Sequence, residues 1–161
     1  MENQFSTEKS VLQELRIEDL DKRGIKLYVK RDDLIHDEVS GNKWRKLKYS
    51  LLHAKKQLST GIITFGGAYS NHLLATASAC QRIDMPCVGI VRGDELNSKS
   101  NKTLERCEEL GMTLRFMERG LYALRNDFEY QKELKLEYPG YYMIPEGGAN
   151  YYGMIGCQEI W

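Results

Sequence analysis

The sequence feature that most constrains the fold is a regular alternation of short β-rich runs with longer helix-like segments. Residues 62–65 (IITF) form such a run and end in two glycines, Gly66 and Gly67, which is typical of a parallel strand buried on both faces. Further strand-like runs lie at residues 87–91, 112–117 and 141–144. Strands that alternate with helices predict an α/β fold with a parallel sheet and helices on both faces, in three layers.

A first strand is predicted at residues 26–31, where polar and apolar residues alternate. Apolar residues then recur at steps of three and four, which predicts a helix with one buried face; they are Trp44, Leu47, Leu51, Ala54 and Leu58. We expect Gly61 to end this helix as a C-cap glycine.

Capping residues predict the other helices. Ser70 or Asn71 is expected to cap a helix that follows the double glycine. A second helix is expected to open at residues 97–98 and to run through Leu110, and a third to run from about residue 121 to 137.

Composition excludes several classes of function. The chain has 161 residues, with 23 Lys and Arg against 23 Asp and Glu, so no global field favours nucleic acid or an anionic membrane. The amino terminus lacks the apolar core of a secretory signal, and no apolar stretch approaches the roughly 20 residues of a membrane span. We therefore expect a cytoplasmic protein that binds neither membrane nor nucleic acid. The four cysteines match no metal-binding spacing, so we expect reduced structural thiols and no metal.

Residues 65–72 (FGGAYSNH) are a candidate anion site. In open parallel sheets, the ligand crevice lies at the carboxyl ends of the strands, and helix N-termini there offer N–H groups to anions. Ser70, Asn71 and His72 add a hydroxyl, an amide and an imidazole at one such helix start. A carboxylate or phosphate would fit this loop. A plain turn followed by a helix cap explains the same residues.

Lys43 is the second candidate, because it falls in the first turn of its predicted helix. The positive end of the helix dipole disfavours a charged lysine and lowers its pKa, which frees the amine as a nucleophile. Lys43 and Lys46 are three residues apart and share a helix face. The alternative is a solvated basic face, since six basic and no acidic residues lie from Lys43 to Lys56.

Taken together, SGNKWRKL at residues 40–47 and GGAYSNH at residues 66–72 resemble one enzyme group. This is the 1-aminocyclopropane-1-carboxylate deaminase and D-cysteine desulfhydrase family, which has the tryptophan synthase β-subunit fold and uses pyridoxal 5′-phosphate. The resemblance extends from residues 27–33 through residues 144–148 and so covers nearly the whole chain.

The resemblance implies roles for five residues. Lys43 matches the lysine that binds the cofactor's aldehyde and moves protons at the substrate's Cα, and Lys46 matches a lysine near the cofactor phosphate. Ser70 matches the active-site serine and Asn71 the amide beside the cofactor's 3′ oxygen. Ser70, Asn71 and His72 are expected to bind the substrate. The implied reaction converts 1-aminocyclopropane-1-carboxylate or D-cysteine to a 2-oxo acid and ammonia.

His72 stands where deaminases proper usually have glutamine, which favours D-cysteine as the substrate. Residues 31–33 (RDD) could position the cofactor loop, and a surface ion pair with a turn explains them equally well.

The family's chains are roughly twice this length, so the resemblance also implies a truncated enzyme. Residues 1–46 would belong to a larger domain, residues 47–146 would form a smaller α/β domain, and residues 147–161 would begin the return into the larger one. We expect the first strand to lack neighbours, and we expect a homodimer. The alternative is a non-catalytic α/β module that binds a partner or dimerises.

Overall fold

The amino-terminal part of the fold is a small antiparallel sheet. The computed structural model describes residues 7–39 and 41–160, so Ser40 of the SGNK motif lies outside the described residues. Strand β1 (Leu12–Leu15) is followed by the one-turn helix α1 (Glu18–Asp21) and by strand β2 (Leu27–Lys30), which pairs antiparallel with β1. The strand predicted at residues 26–31 is thus confirmed, but the expectation that it lacks neighbours is wrong, because β1 pairs with it.

Helices and strands alternate through the rest of the described chain. In order, they are α2 (Asn42–Lys56), β3 (Gly61–Gly66), α3 (Asn71–Arg82), β4 (Cys87–Arg92), α4 (Lys102–Glu109), β5 (Met112–Met117), α5 (Arg119–Ala123), α6 (Phe128–Glu137), β6 (Tyr141–Ile144) and α7 (Tyr151–Gln158). Four of the strands form one parallel sheet in the order β5-β4-β3-β6. Within the described ranges, no helix is long and apolar enough to cross a membrane.

Side chains from alternate positions of the sheet enter two separate cores. Ile62 and Val91 lie in the core formed with α2, α3 and α4. Ile63 and Ile90 lie in the opposite core, which includes Tyr122 and residues of α6. Because successive side chains of a strand point to opposite faces, helices cover both faces of this sheet. The predicted three-layer α/β architecture is confirmed.

The end of α2 differs from the prediction. The helix stops at Lys56, and Leu58 adopts a left-handed conformation (φ 58°) with 87% of its surface exposed. The N–H of Leu58 donates to the carbonyl of Lys55, and that of Ser59 donates to Ala54, both at 3.0 Å. This pair of bonds is a Schellman turn, in which glycine is the usual left-handed residue. Leu58 therefore occupies the position that we had assigned to Gly61.

Gly61 instead begins β3, and its small size serves packing. A Cβ atom at this position would lie 2.4 Å from the ring of Tyr141 on the neighbouring strand β6. The prediction of a C-cap at Gly61 was wrong because the chain turns three residues earlier.

Two predicted helices are interrupted by capping residues within them. The helix expected from residues 97–98 begins at Lys102, because Asn101 is extended and its side chain accepts a hydrogen bond from the N–H of Leu104 (3.0 Å). The helix expected at residues 121–137 is divided at Asp127, which caps α6 by accepting from Tyr130 N at 3.0 Å. In both cases an Asn or Asp side chain competes with the backbone for its hydrogen bonds.

The four cysteines are free thiols. Three of them, Cys80, Cys87 and Cys107, are buried among the apolar side chains of one core. Burial raises the pKa of the Cys107 thiol to about 12, so this group stays protonated and packs as a small apolar residue.

Candidate active site

The loop between β3 and α3 brings the chain very close to itself at Gly66. A Cβ atom on this glycine would lie 2.6 Å from the side chain of Leu73 and 2.7 Å from Ser70 Oγ. Ser70 caps α3, since its Oγ accepts a hydrogen bond from the N–H of Leu73 at 3.3 Å. The N–H groups of Asn71 and His72 precede the first intrahelical bond, so they are available to an anion.

Helix α2 presents Lys43 from a start that has no side-chain cap. Gly41 precedes the helix with φ 60° and ψ −142°, and the first turn holds no acidic residue. Burial lowers the pKa of Lys43, and the charge of Lys46 lowers it further. Both effects favour the uncharged amine, which is the nucleophilic form.

A cavity of about 450 Å³ connects the starts of the two helices. Lys43 lines it from α2 and Asn71 from α3, and the other lining residues are Asp37, Glu38, Gly41, Asn42 and Leu74. A second cavity of about 330 Å³ lies beside Lys46 and is otherwise lined by residues of the loop after β6 and of α7. The structure therefore places Lys43 and Asn71 on one cavity and Lys46 on another.

The side chain of His72 lies beneath the start of α3 and is 2% exposed. Thr64 Oγ1 donates to the carbonyl of Ile144 (2.8 Å) and contacts His72 Nε2 at 2.9 Å. Because the Thr64 hydrogen is already engaged, Nε2 must be the protonated nitrogen. Nδ1 has no hydrogen-bond partner among the described residues.

The imidazole of His72 is neutral near pH 7. Burial is the main cause that lowers its pKa to about 4, and the charges of Lys43 and Lys46 lower it as well. With its side chain enclosed, His72 offers its backbone N–H to a ligand at the helix start. Its role in substrate binding stays a prediction.

The loop after β6 closes over Lys46 and His72. Gly147 and Gly148 both adopt φ 68°. A Cβ atom on Gly148 would lie 3.1 Å from Lys46 Cβ and 3.6 Å from His72 Cε1. Glycine is thus needed here for its conformation as well as for its size.

Glu146 ties this loop to α5 and the turn after it, a role that the sequence analysis did not identify. Its carboxylate accepts hydrogen bonds from the hydroxyl of Tyr122 (3.0 Å) and from Nε of Arg125 (2.6 Å). The proline and glycines around it indicate a turn, but they carry no signal for partners more than 20 residues earlier.

A buried ion pair holds the start of α2, and the sequence analysis did not resolve it either. Arg45, on α2, is 2% exposed and Asp32 is 7% exposed. Arg45 donates from Nε to Asp32 Oδ2 at 2.5 Å and from Nη2 to Oδ1 at 2.8 Å. The hydrogen bonds from Arg45 are the largest cause that lowers the pKa of the Asp32 carboxyl.

Helix α7 packs closely against α2 through Gly156 and against the loop after β6 through Gly153. A Cβ atom on Gly156 would lie 1.8 Å from the carbonyl oxygen of Arg45, and one on Gly153 would lie 2.1 Å from the carbonyl oxygen of Gly148. Glu159, just beyond α7, accepts from Lys48 Nζ at 2.8 Å. Helix α2 is therefore held by α7 through Arg45 and Lys48, while its Trp44 and Leu47 pack in the core that it shares with the sheet.

These groups fit a phosphorylated aldehyde cofactor. Lys43 supplies an amine with a lowered pKa to the cavity that Asn71 lines from the neighbouring helix, and helix starts favour anionic groups. The model of the family described as "Pyridoxal-phosphate dependent enzyme" matches residues 11–160. The chain belongs to this family. Its members use pyridoxal phosphate, as the resemblance of residues 40–47 and 66–72 implied.

Individual relatives narrow the resemblance within this family. A Pyrococcus abyssi protein named as a candidate 1-aminocyclopropane-1-carboxylate deaminase is 36% identical over 140 residues, which are 83% of this chain and 40% of the relative. The bifunctional D-cysteine desulfhydrase/1-aminocyclopropane-1-carboxylate deaminase of Arabidopsis thaliana, a mitochondrial protein, is 34% identical over 146 residues, which cover 84% of this chain and 36% of the relative. The chain therefore spans about two fifths of the length of these curated relatives.

A solved structure supports the same assignment. The crystal structure of an ACC deaminase homologue superposes with a TM-score of 0.74 at 28% identity and covers 94% of this chain and 46% of the homologue. The predicted pyridoxal-phosphate enzyme fold is confirmed.

Proposed function

We propose that this chain provides the lysine and the anion-binding helix start of a pyridoxal-phosphate-dependent deaminase or desulfhydrase. The substrate is a small amino acid, 1-aminocyclopropane-1-carboxylate or D-cysteine. The products are a 2-oxo acid and ammonia, with sulfide as a third product when the substrate is D-cysteine. The observation that carries the proposal is the shared cavity, which Lys43 lines from α2 and Asn71 lines from the start of α3.

Lys43 has two roles in this proposal. Its amine would hold the cofactor at the aldehyde group, for which the uncharged form of the lysine is required. The same amine later accepts or returns a proton at the substrate's Cα, a task that suits a lysine with a lowered pKa. Pyridoxal phosphate, when bound, supplies an electron sink for the negative charge that develops at the substrate.

The start of α3 holds anionic groups. The N–H groups of Asn71 and His72 would bind the substrate's carboxylate, and the Asn71 amide would hold the cofactor at its 3′ oxygen. Ser70 keeps these groups in place through its cap and presents its hydroxyl to the substrate. Lys46, which lies beside the second cavity, would add a positive charge near the cofactor phosphate. These assignments follow the family motif residue by residue.

The difference between the two substrates lies at Cα. D-Cysteine has a Cα hydrogen that Lys43 can remove, with thiolate leaving from Cβ. 1-Aminocyclopropane-1-carboxylate has no such hydrogen, so its ring must open by another route. His72 in the Ser-Asn-His sequence supports D-cysteine as the substrate of this chain.

The test of the proposal is a visible spectrum of the chain mixed with pyridoxal phosphate. We expect an absorbance band that borohydride removes and that Lys43→Ala abolishes. Lys55→Ala is the matched control, because Lys55 lies exposed on the same helix. Release of 2-oxo acid from D-cysteine and from 1-aminocyclopropane-1-carboxylate then distinguishes the substrates. A folded wild-type chain without a Lys43-dependent band would contradict the proposal.

The domain division and the assembly are also proposals. Residues 47–146 form the smaller domain, with residues 1–46 and 147–161 in a larger one. The chain forms a cytoplasmic homodimer. Exposed apolar side chains on and near the β1–β2 sheet support association, among them Val11, Leu12 and Tyr28 at 52%, 63% and 46% exposure. Sedimentation equilibrium measures the assembly. If the chain folds and dimerises but has no Lys43-dependent band, the observations favour the non-catalytic module instead.

A further inference from the structure

The two adjacent carboxylates of residues 31–33 make opposite kinds of contact. Asp33 is exposed and pairs with its neighbour Arg31, whose Nε lies 2.9 Å from Oδ1 and whose Nη2 lies 2.7 Å from Oδ2. This is a surface ion pair of the kind that contributes little to stability. Asp32 points inward and is buried against α2.

The buried carboxylate of Asp32 is enclosed by donors from two distant segments. Arg45 binds both of its oxygens, and the hydroxyl of Ser10 donates to Oδ1 at 2.5 Å. Arg45 also reaches Ser10 Oγ at 3.4 Å. A two-pronged pair of this kind fixes direction as well as distance, since the guanidinium is planar and rigid.

Asp32 binds the chain on both sides of Lys43. Its backbone carbonyl accepts a hydrogen bond from the N–H of Gly41 at 3.1 Å, and its carboxylate binds Arg45. Gly41 and Arg45 are each two residues from Lys43. One aspartate therefore holds the residues that precede and follow the reactive lysine.

The start of α2 needs such support from outside the helix. Gly41 has no side chain with which to cap it, and the first turn holds no acidic residue. Lys43, Arg45 and Lys46 place positive charge at the end of the helix where the dipole disfavours it. The carboxylate of Asp32 supplies the negative charge that the local sequence lacks.

We infer that Asp32 is a positioning residue for Lys43. Through Gly41 and Arg45 it fixes the first turn of α2, and so it holds the Lys43 amine in its half-buried place at the mouth of the cavity. This inference rests on the proposed function, in which Lys43 is the reactive amine.

The measurement is a titration of the Lys43 side chain by NMR in the chain without cofactor, with lysine isotopically labelled and Lys43 assigned from the Lys43→Arg spectrum. The ionisable groups near Lys43 come from several elements: Lys46 on α2, His72 on α3, Cys157 on α7, and Asp37 and Glu38 along the cavity. All of them are unchanged in the variants. The loss of the Asp32 carboxylate would by itself lower the Lys43 pKa, because a nearby negative charge favours the charged amine. A rise in the Lys43 pKa therefore reports a change in the position of the amine.

Asp32→Asn is expected to raise the Lys43 pKa by about one unit, a tenfold loss of free amine at a given pH, because the amine leaves its half-buried place for solvent. Asp32→Glu, which retains a carboxylate, should show a smaller rise in the Lys43 pKa. The matched control is Asp33→Asn, which removes the neighbouring carboxylate and its ion pair with Arg31 and should leave the Lys43 titration unchanged.

A second variant separates positioning from folding. In Asp32→Asn/Arg45→Gln, both charges are removed and two amides can still pair, so no unpaired charge is buried. Amide hydrogen exchange in β3 and β4 reports whether the sheet remains folded. If the amides of β3 and β4 remain protected from exchange, the sheet is folded, and we expect the same rise in the Lys43 pKa as in the single variant.

An unchanged Lys43 pKa in Asp32→Asn, or in the double variant if the single one does not fold, would overturn the inference. An equal shift in Asp33→Asn would overturn it as well, because the effect would then be one of surface charge. If the wild-type chain shows no Lys43-dependent band with pyridoxal phosphate, the proposed function fails, and the titration still decides whether Asp32 positions Lys43.

Discussion

Two helix starts face the same cavity, and they are held in different ways. The start of α3 is stabilised locally, by the Ser70 cap and by the Gly66 turn from a buried strand. The start of α2 has no side-chain cap and is held from outside by Asp32, which is 13 residues from Arg45 along the chain. In the proposed function, the start that is held locally binds anions through backbone groups, whereas the start that is held from a distance carries the reactive amine.

The difference follows from what each site requires. An anion is favoured by an ordinary helix start, so a normal cap and the binding function agree. A charged lysine is disfavoured at such a start, so a helix that begins with several basic residues needs stabilisation from contacts made elsewhere. Variants that remove one kind of support should therefore affect the two starts by different amounts.

The largest effect is expected from Arg45→Met, which leaves the Asp32 carboxylate buried without its partner. Breaking a buried ion pair in this way costs roughly 3 to 5 kcal/mol. Urea denaturation at pH 7 should show a decrease of that order in the free energy of unfolding. Arg31→Met is the matched control, since Arg31 pairs with exposed Asp33, and it should change stability by less than about 1 kcal/mol. Equal effects of the two variants would contradict the distinction between the buried and the surface pair.

The next largest effect is a pH dependence of the free energy of unfolding, caused by His72 beneath the start of α3. The pKa of His72 is lowered to about 4 in the folded chain from an ordinary value of 6.5. Between these two pH values the unfolded chain binds more protons than the folded chain does. The free energy of unfolding therefore falls as the pH falls from 6.5 towards 4. The full difference is of the order of 3 kcal/mol.

The measurement for this effect is urea denaturation between pH 7 and pH 4, for the wild type and for His72→Gln. His72→Gln should lose most of the pH dependence of the free energy of unfolding. The pKa of His36 is also lowered mainly by burial, and its smaller contribution to the pH dependence remains in both proteins. Parallel curves for the two proteins would show that His72 titrates normally. The carboxyl of Asp32 also has a lowered pKa, but its contribution to folding stability is lost only at more acidic pH. The stability that depends on His72 and the stability that depends on Asp32 are therefore lost in different pH ranges.

A smaller effect should come from the back of α2, where α7 packs against it. Gly156→Ala would place a Cβ atom 1.8 Å from the carbonyl oxygen of Arg45, so one helix must move. Overpacking of this kind costs about 2 kcal/mol. Met154→Ala is the control, because Met154 lies on α7 with 54% of its surface exposed, and it should leave stability nearly unchanged. A wild-type free energy of unfolding for Gly156→Ala would show that α7 adapts without cost.

The same contrast explains what the sequence could predict. The strands β3, β5 and β6 and a cap at Ser70 or Asn71, of which the structure has Ser70, were predicted because their signals are local: β-rich runs, glycine turns and a capping side chain. The breaks at Asn101 and Asp127 have local signals as well, but apolar periodicity on either side concealed them. In each case the cap was read as part of a longer helix.

Contacts between distant segments could not be predicted in this way. The pairing of Asp32 with Arg45, of Glu146 with Arg125 and of Thr64 with His72 depends on which segments the fold brings together. The interpretation of residues 31–33 as a surface ion pair is confirmed for Arg31 and Asp33, whereas Asp32 is buried against α2 and a role in positioning the cofactor loop stays a prediction. One sequence gives no means to tell two adjacent aspartates apart. The family motif identified the residues of the candidate site, and the structure adds what holds them.

The smallest effect is expected at the helix start with local support. Ser70→Ala removes the side chain that accepts from the N–H of Leu73 and should lower the free energy of unfolding by about 1 kcal/mol, the usual cost of an N-cap. Ser70→Thr retains a capping hydroxyl and should recover most of this stability.

The ratio between the Ser70 and Arg45 effects tests the comparison itself. If Ser70→Ala costs as much as Arg45→Met, the start of α3 depends on its cap as strongly as the start of α2 depends on Asp32, and the two starts are not held differently. With the expected ratio, Ser70→Ala leaves α3 in place, because its buried face and the tight turn at Gly66 still position it. A loss of substrate turnover in that variant would then report the missing hydroxyl, since the anion-binding N–H groups remain where they were.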